Sequence, residues 1–176
     1  MDRSVIKAVI FDIDGTLVDS VDLHAECWCE ALAHFGVDVP FARVREQIGK
    51  GGDQLLPVFL SSEQLGERGE QIDRYRSALF KREYLPNVRA FPKVRELFER
   101  IRSDGVRIVL ASSAKGDELT HYKRVARIED LVDAEVSADD AEHSKPCPDI
   151  FQAALNRLAP LTADEVLAVG DTPYDA

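Results

Sequence analysis

Four short stretches rich in apolar residues recur along the chain, and polar residues follow each of them. The stretches are residues 5–11, 106–111, 134–137 and 165–169. Apolar runs of this length are typical of strands that are buried on both faces, as in parallel α/β sheets. The pattern therefore predicts four parallel strands.

A long helical pattern separates the first stretch from the second. Apolar residues recur at helical spacing from Val21 to Phe35, from Phe41 to Ile48, and onward to about Tyr84. Ser61-Ser62-Glu63 begins the last of these segments with a helix-capping signal. No strand pattern lies between residues 19 and 85, so this block is predicted to be all helical.

Helical and strand patterns alternate from Pro92 onward, and this β-α-β rhythm favours right-handed crossovers between parallel strands. We predict an α/β fold, in which a doubly wound (Rossmann-like) parallel sheet carries an all-helical cap inserted after its first strand. The core would comprise residues 1–18 and 86–176, and the cap residues 19–85.

Two carboxylates, Asp12 and Asp14, end the first strand and are followed by Gly15 and Thr16. Side chains at positions i and i+2 of a strand point to the same side, so the two carboxylates can converge. Two neighbouring carboxylates repel each other unless a hard cation, a shared proton or covalent chemistry explains them. The pair therefore indicates a chemical site.

Polar groups also follow the other three strands. Ser112 and Ser113 follow the second, Lys145 comes after the third, and Asp171 and Asp175 follow the fourth. Ligands of open α/β sheets bind at the carboxyl ends of the strands. We therefore expect these residues to meet the two aspartates at one edge of the sheet.

The motifs Asp-Ile-Asp-Gly-Thr, Ala-Ser-Ser-Ala, Lys-Pro-Cys-Pro-Asp-Ile-Phe and Gly-Asp-Thr-Pro-Tyr-Asp, in this order, resemble the four motifs of the haloacid dehalogenase superfamily. The helical insertion resembles the cap of its phosphoglycolate phosphatase and β-phosphoglucomutase-like members. The resemblance covers essentially the whole chain. It implies a Mg²⁺-dependent phosphatase that hydrolyses a small phosphorylated metabolite through an aspartyl-phosphate.

The resemblance also implies roles for the polar residues at the strand ends. Asp12 would be the nucleophile, and Asp14 the general acid and base. Asp12, the backbone carbonyl of Asp14 and Asp171 would hold Mg²⁺, with Asp175 supporting the metal site from outside the ligands. Lys145 would neutralise the charge that develops on the phosphoryl group.

Five residues are candidates for binding the substrate. Gly15, Ser112 and Ser113 would bind the phosphate, since backbone amides at helix starts bind anions. Lys50, in the glycine-rich segment 49–52, and His24, at the start of the cap, would contact the rest of the substrate. An ordinary packed or exposed histidine remains an equal alternative for His24.

Several alternatives remain open at the level of sequence. In the resembling mutases an arginine stands where this chain has Gly52, and the phosphonate hydrolases use a lysine near that position for an imine, which Lys50 could supply. A sugar-phosphate mutase, a phosphonate hydrolase and a non-catalytic scaffold are therefore the alternatives, in that order. The basic residues Arg74, Arg76, Lys81 and Arg82 are expected to form a solvated helix face.

The composition limits the classes of partner that this chain is expected to bind. A net charge of −10 argues against nucleic acid or an anionic membrane as a partner. The three cysteines have no metal-binding spacing and no long apolar span is present, so we expect a cytoplasmic protein with no membrane contact, either a monomer or a weak dimer.

The final motif ends at residue 175, where members of the resembling family continue with a helix and a further strand. We therefore expect the 176-residue chain to be part of a longer protein. The further strand would pair with residues 165–169, which would otherwise form an exposed sheet edge.

Overall fold

The structure, a computed structural model, describes residues 5–175. Its strands are β1 (Ala8–Phe11), β2 (Val18–Asp19), β3 (Arg89–Ala90), β4 (Arg107–Ala111), β5 (Ala134–Val136) and β6 (Val166–Val169). Four of them form one parallel sheet in the order β5-β4-β1-β6. The predicted doubly wound parallel sheet is therefore confirmed, with strand ends within a few residues of those predicted.

Both faces of β1 are buried, as its apolar run predicted, whereas the edge strand β6 is partly exposed, with Leu167 49% exposed. Val9 and Phe11 point to one face, where they join a cluster that includes Phe98 of the helix before β4. Ala8 and Ile10 point to the other face, which packs against Ile150 and Ala154 of the last α-helix of the described residues. This alternation along β1 leaves the strand no solvent-exposed side, and all four of its residues are buried.

Seven α-helices surround or extend from this sheet in the described residues. They are α1 (Val21–His34), α2 (Phe41–Arg45), α3 (Gly52–Phe59), α4 (Ser62–Leu79), α5 (Val94–Ser103), α6 (Gly116–Ala126) and α7 (Asp149–Arg157). A π-helical turn, Phe80–Tyr84, continues α4. Helices α1 to α4 form the insertion after the first sheet strand, which confirms the predicted helical cap.

The cap has its own hydrophobic cluster, in which Trp28 and Leu32 of α1 pack with Leu55 of α3 and Ile72 of α4. Its longest helix, α4, begins at a capping box. The Ser61 side chain accepts a hydrogen bond from the backbone amide of Gln64, and the Gln64 side chain accepts one from the backbone amide of Ser61. Helix α2 ends at Arg45 rather than at the predicted Ile48, because the chain turns there towards the glycine-rich segment.

The cap joins the core through a short antiparallel ribbon that the sequence did not predict. Val18 pairs with Ala90, and Asp19 pairs with Arg89. Two-residue strands carry no readable periodicity, so only the structure reveals this pairing. Within residues 5–175 no helix is both long and apolar enough to cross a lipid bilayer.

Candidate active site

Asp12 lies directly after β1 at the carboxyl edge of the sheet. Its amide donates a hydrogen bond to the Val169 carbonyl at 2.9 Å, which continues the β1–β6 pairing and fixes the backbone. Its side chain is buried and in contact with the ammonium of Lys145. Lys145, itself 2% exposed, also donates to Asp175 Oδ1 at 2.6 Å. One buried lysine therefore joins the ends of the first and fourth sheet strands.

The charges around Asp12 and Lys145 favour a bound cation. Burial raises the pKa of Asp12, the ammonium of Lys145 opposes that shift, and the carboxylates of Asp14 and Asp175 add to it. Burial disfavours the charge on Lys145, but Asp12 and Asp175 raise its pKa. A single ammonium among these carboxylates leaves an excess of negative charge, which a divalent cation would neutralise.

Three carboxylates offer ligand oxygens for such a cation. One oxygen each from Asp12, Asp171 and Asp175 lies within 4.8 Å of the others. Burial raises the pKa of Asp171, and the nearby carboxylate of Asp175 adds to that shift. An all-oxygen, negatively charged donor set is the kind that Mg²⁺ prefers, so the residues present fit this ion.

The structure brings Asp175 closer to the candidate cation site than the sequence predicted. Its carboxylate belongs to the group of three and also accepts a hydrogen bond from Lys145. The carboxylate of Asp14 is not in the acidic group. The prediction for Asp14 concerned its backbone carbonyl, and that role stays a prediction.

Asp14 points instead towards the first helix of the cap. Its Oδ1 accepts a hydrogen bond from the Ser20 hydroxyl at 2.6 Å and lies 2.9 Å from Nε2 of His24. Ser20 occupies the N-cap position of α1, but its side chain makes no capping bond. Burial opposes ionisation, yet His24, Ser20 and Tyr122 together lower the pKa of Asp14 to about 2. This structure therefore holds Asp14 as a carboxylate.

Arg76 of α4 completes this network, on the side of the His24 ring that faces away from Asp14. Its guanidinium contacts Nδ1 of His24. It lies 5.0 Å from the centroid of the Trp28 ring and 4.9 Å from that of Phe80. Since arginine can only donate hydrogen bonds, Nδ1 of His24 accepts one and the ring proton lies on Nε2, facing Asp14.

The prediction that Arg76 lies on a solvated face is wrong. It lies four residues after Ile72 and four before Phe80, both of which are buried, so helical spacing aligns all three on one side of α4. From the sequence, that helical spacing could have indicated that Arg76 lies on the buried side of α4. Arg74, by contrast, is exposed, with 69% of its side chain accessible to solvent.

The residues predicted to bind phosphate lie around the same edge. Ser112 is fully buried, and its hydroxyl oxygen accepts a hydrogen bond from the Ala114 amide at 3.0 Å. Ser113 lines the cavity above Asp12. Gly15 adopts a φ of +80°, and a β-carbon there would lie 2.1 Å from Oδ2 of Asp171. Glycine is therefore required for the close approach of this turn to the acidic group.

The glycine-rich segment of the cap faces the sheet edge. Lys50 lines the same cavity as Asp12, donates to Oε1 of Gln47 at 2.7 Å, and lies 4.9 Å from the centroid of the Tyr174 ring. Tyr174 in turn donates to the Glu46 carbonyl at 2.9 Å. The fourth motif therefore holds the cap loop in place over the core.

A cavity of about 260 Å³ lies between the cap and the carboxyl edge of the sheet. Its walls include six of the residues predicted from sequence: Asp12, Asp14, His24, Lys50, Ser113 and Lys145. Gly15 and Asp171 line an adjoining pocket, and Ser112 is buried. Arg76 and Glu118 also line the main cavity, and neither was predicted to be a site residue.

Several known proteins are similar to this chain. A phosphoglycolate phosphatase of Nitrosospira multiformis is 30% identical over an alignment that covers 97% of this chain and 77% of that protein. A phosphorylated carbohydrates phosphatase of Thermotoga maritima is 27% identical, over 87% of this chain and 71% of that protein. The crystal structure of a hydrolase from Pseudomonas syringae has a TM-score of 0.83 at 28% identity, covering 96% of this chain and 76% of that one.

The sequence profile of the haloacid dehalogenase-like hydrolases matches residues 6–176. This match contains the sheet, the helical cap and every strand-end residue described above. The resemblance inferred from the four motifs is confirmed: the chain belongs to the haloacid dehalogenase-like hydrolases and is an enzyme.

Proposed function

We propose that this protein is a Mg²⁺-dependent phosphatase that hydrolyses a small phosphorylated metabolite through an aspartyl-phosphate at Asp12. The observation that carries the proposal is the contact of buried Lys145 with Asp12 inside a group of three carboxylates at the strand ends. The names of the similar phosphatases support a phosphate ester as substrate.

The first half of the reaction would transfer the phosphoryl group to the protein. A carboxylate oxygen of Asp12 attacks phosphorus, the bond from phosphorus to the ester oxygen breaks, and Asp14 gives a proton to the leaving oxygen. Lys145 stays next to Asp12 and balances the charge on the phosphoryl oxygens. When bound by Asp12, Asp171 and Asp175, Mg²⁺ supplies the positive charge that lets a carboxylate approach a phosphate dianion.

The second half would release phosphate. Asp14, as a carboxylate, takes a proton from water while the water oxygen attacks phosphorus, and the bond to Asp12 breaks. The hydrogen bonds from Ser20 and His24 favour the carboxylate form that this step needs. In the first half Asp14 must carry a proton, so it would have to leave these donors and move towards the substrate.

Two features bear on the alternative reactions. A β-carbon at Gly52 would lie 2.5 Å from Oδ1 of Asp73 and 3.3 Å from the Trp28 ring, so an arginine at this position, as in the mutase pattern, would require the Asp73 side chain to move. Lys50 does line the cavity. Borohydride trapping of an imine on Lys50 would therefore favour the phosphonate hydrolase. A cytoplasmic setting and a monomeric or weakly dimeric state remain predictions.

The proposal is tested with p-nitrophenyl phosphate, with Mg²⁺ and with a chelator. Asp12→Asn should lower kcat at least ~10³-fold, because an amide does not attack phosphorus. Acid-quenched wild-type protein should carry one phosphoryl group that the variant lacks, by mass spectrometry. Asp38→Asn, an exposed position in the cap, is the control with the same chemical change. Full turnover in folded Asp12→Asn protein would refute the mechanism.

Metal binding is measured separately from turnover. Titration calorimetry should show Mg²⁺ binding to the wild type and at least ~10-fold weaker binding to Asp171→Asn, since a neutral amide replaces a charged ligand. Activity that persists unchanged in the chelator would contradict the metal assignment.

A further inference from the structure

Tyr122 of α6 is a buried residue with a polar end that the proposed mechanism does not use. It is 1% exposed, and its ring packs in the same cluster as Phe98. Its hydroxyl oxygen lies 3.2 Å from Nε2 of His24. Tyr122 does not line the cavity, so it can act on a substrate only through another residue.

That other residue is Asp14. Arg76 occupies Nδ1 of His24, so the ring proton lies on Nε2, and this nitrogen accepts no hydrogen bond. The Tyr122 oxygen can only accept at Nε2, which leaves its own proton for Asp14, and a hydrogen bond between the two side chains lowers the pKa of Asp14. Burial raises the pKa of Tyr122 and the charge of Asp14 adds to that shift, so the hydroxyl keeps its proton.

Tyr122 reaches Asp14 from a different part of the fold than the other two donors. Ser20 and His24 stand at the start of the helical cap. The His24 ring also stacks on Phe80 of the cap, with centroids 4.1 Å apart, so the cap sets the plane of the ring. Tyr122 belongs to α6 of the core. It is therefore the core's own donor to Asp14, at the point where the cap histidine meets the core.

We propose that Tyr122 is a positioning residue that orients Asp14 for both proton transfers of the reaction. The inference rests on the proposed phosphatase function, in which Asp14 protonates the leaving oxygen and later takes a proton from water. Without the hydroxyl, only cap residues would hold the carboxyl group in place. Each step should then slow according to its need for a proton transfer through Asp14.

The first transfer is tested with two esters. p-Nitrophenolate is a stable anion that leaves without a proton, whereas the alkoxide released from benzyl phosphate needs one. Tyr122→Phe keeps the ring that packs in the core and removes the hydroxyl. It should raise the ratio of kcat/KM for p-nitrophenyl phosphate to that for benzyl phosphate about tenfold, the scale of one hydrogen bond to a charged group.

The second transfer is tested on the aspartyl-phosphate. With p-nitrophenyl phosphate the first half of the reaction does not need the proton of Asp14, but hydrolysis of phosphorylated Asp12 still does. Acid-quenched Tyr122→Phe protein should therefore carry a larger phosphorylated fraction at steady state than the wild type, as measured by mass spectrometry. A residue that only supports the fold would not shift the balance between the two halves.

Two further variants calibrate the measurement. Tyr84→Phe is the matched control, because the Tyr84 hydroxyl also donates to a carboxylate, that of Glu30 at 2.9 Å, away from the cavity lining. It should change neither the ratio nor the phosphorylated fraction. Asp14→Asn removes the acid itself and should raise the ratio at least as far as Tyr122→Phe does.

The outcomes separate the possible failures. An equal loss of kcat/KM for the two esters in Tyr122→Phe, with no rise in the phosphorylated fraction, would overturn the inference and leave Tyr122 a packing residue. An unchanged ratio in Asp14→Asn would instead contradict the acid role of Asp14. A wild type that hydrolyses neither ester in the presence of Mg²⁺ would refute the phosphatase function itself.

Discussion

Nε2 of His24 lies 2.9 Å from Oδ1 of Asp14, and this contact joins the first turn of the cap to the end of the central strand. Arg76 lies on the other ring nitrogen, which directs the ring proton towards Asp14. The orientation of the proposed general acid and base therefore depends on residues from two cap helices.

His24→Ala should lower kcat about ten- to a hundredfold, the range found when a group that orients a site residue is removed. The variant removes one donor to Asp14, so the pKa of Asp14 should rise from its lowered value. Steady-state kinetics measure the loss. His34→Ala is the control, since His34 is exposed and stacks on Tyr75 away from the cavity lining. Equal activity of the two variants would contradict the role of His24.

Arg76→Ala should lower kcat/KM at least about tenfold, because His24 loses the Nδ1 donor that directs its ring proton towards Asp14. Loss of the contacts with Trp28 and Phe80 should also lower the free energy of unfolding by about 1 kcal/mol. Arg74→Ala changes the same residue type two positions earlier, where the side chain is exposed and only pairs with Glu70 at 3.4 Å. It should leave kinetics and stability unchanged.

The energetic coupling between His24 and Arg76 can be measured directly. The double variant His24→Ala with Arg76→Ala should lose little more activity than the more affected single variant, because both act through one orientation. Fully additive losses would show that Arg76 acts on the substrate independently of His24.

Gly15→Ala should weaken Mg²⁺ binding at least about tenfold, since the added methyl group would displace the carboxylate of Asp171. Calorimetric titration of Mg²⁺ measures this effect. Gly36→Ala is the matched control: its φ of +77° imposes the same backbone strain, but nothing lies within 4 Å of the added carbon. Both variants should lose about 1 kcal/mol of stability, and only Gly15→Ala should lose the metal.

Asp133 should stabilise the fold only while it is ionised. Its Oδ2 accepts a hydrogen bond from the Ile108 amide at 2.8 Å, and its Oδ1 contacts Arg102. Burial opposes the shift, but these donors lower the pKa of Asp133 below its ordinary value of 3.8. Because the folded state has the lower pKa, the stabilisation is complete above pH ~4 and disappears as pH falls through the lowered pKa.

Asp133→Asn should therefore lower the free energy of unfolding at pH 7 by about 1 kcal/mol, and the difference should vanish in acid. Denaturant unfolding at several pH values measures it. Asp104→Asn, at an exposed pair with Arg100 3.0 Å away, should change stability by less than ~0.5 kcal/mol. A difference for Asp133→Asn that is independent of pH would contradict the assignment.

The sequence predicted best those features that depend on residues close together in the chain. The buried strand patterns and the polar residues after them located the sheet and its carboxyl edge, since strand ends meet there whatever the side chains between. The capping box at Ser61 marked the start of α4 for the same local reason.

Residues whose surroundings come from distant parts of the chain were less predictable. The setting of Arg76 depends on Trp28, 48 positions earlier, and on the packing of α4 against α1. Nothing in the sequence around Glu118 distinguishes it from an exposed helical glutamate. The cavity contacts of Arg76 and Glu118 therefore emerged only from tertiary packing, although helical spacing places Arg76 on the buried side of α4.

The β2–β3 ribbon places the two points where the chain leaves and re-enters the core side by side, and the Phe91 amide bonds to the Leu17 carbonyl at 3.0 Å next to it. A segment with adjoining ends can be exchanged as a cassette without altering the order of the sheet strands. Exchange of this cassette would replace Trp28, Lys50 and Arg76 together and leave Asp12 and Lys145 untouched. The fold thus lets the cap side of the cavity change as one unit while Asp12 and Lys145 stay in place, and a functional chimaera joined at the ribbon must bring its own partners for Asp14 in place of His24 and Arg76.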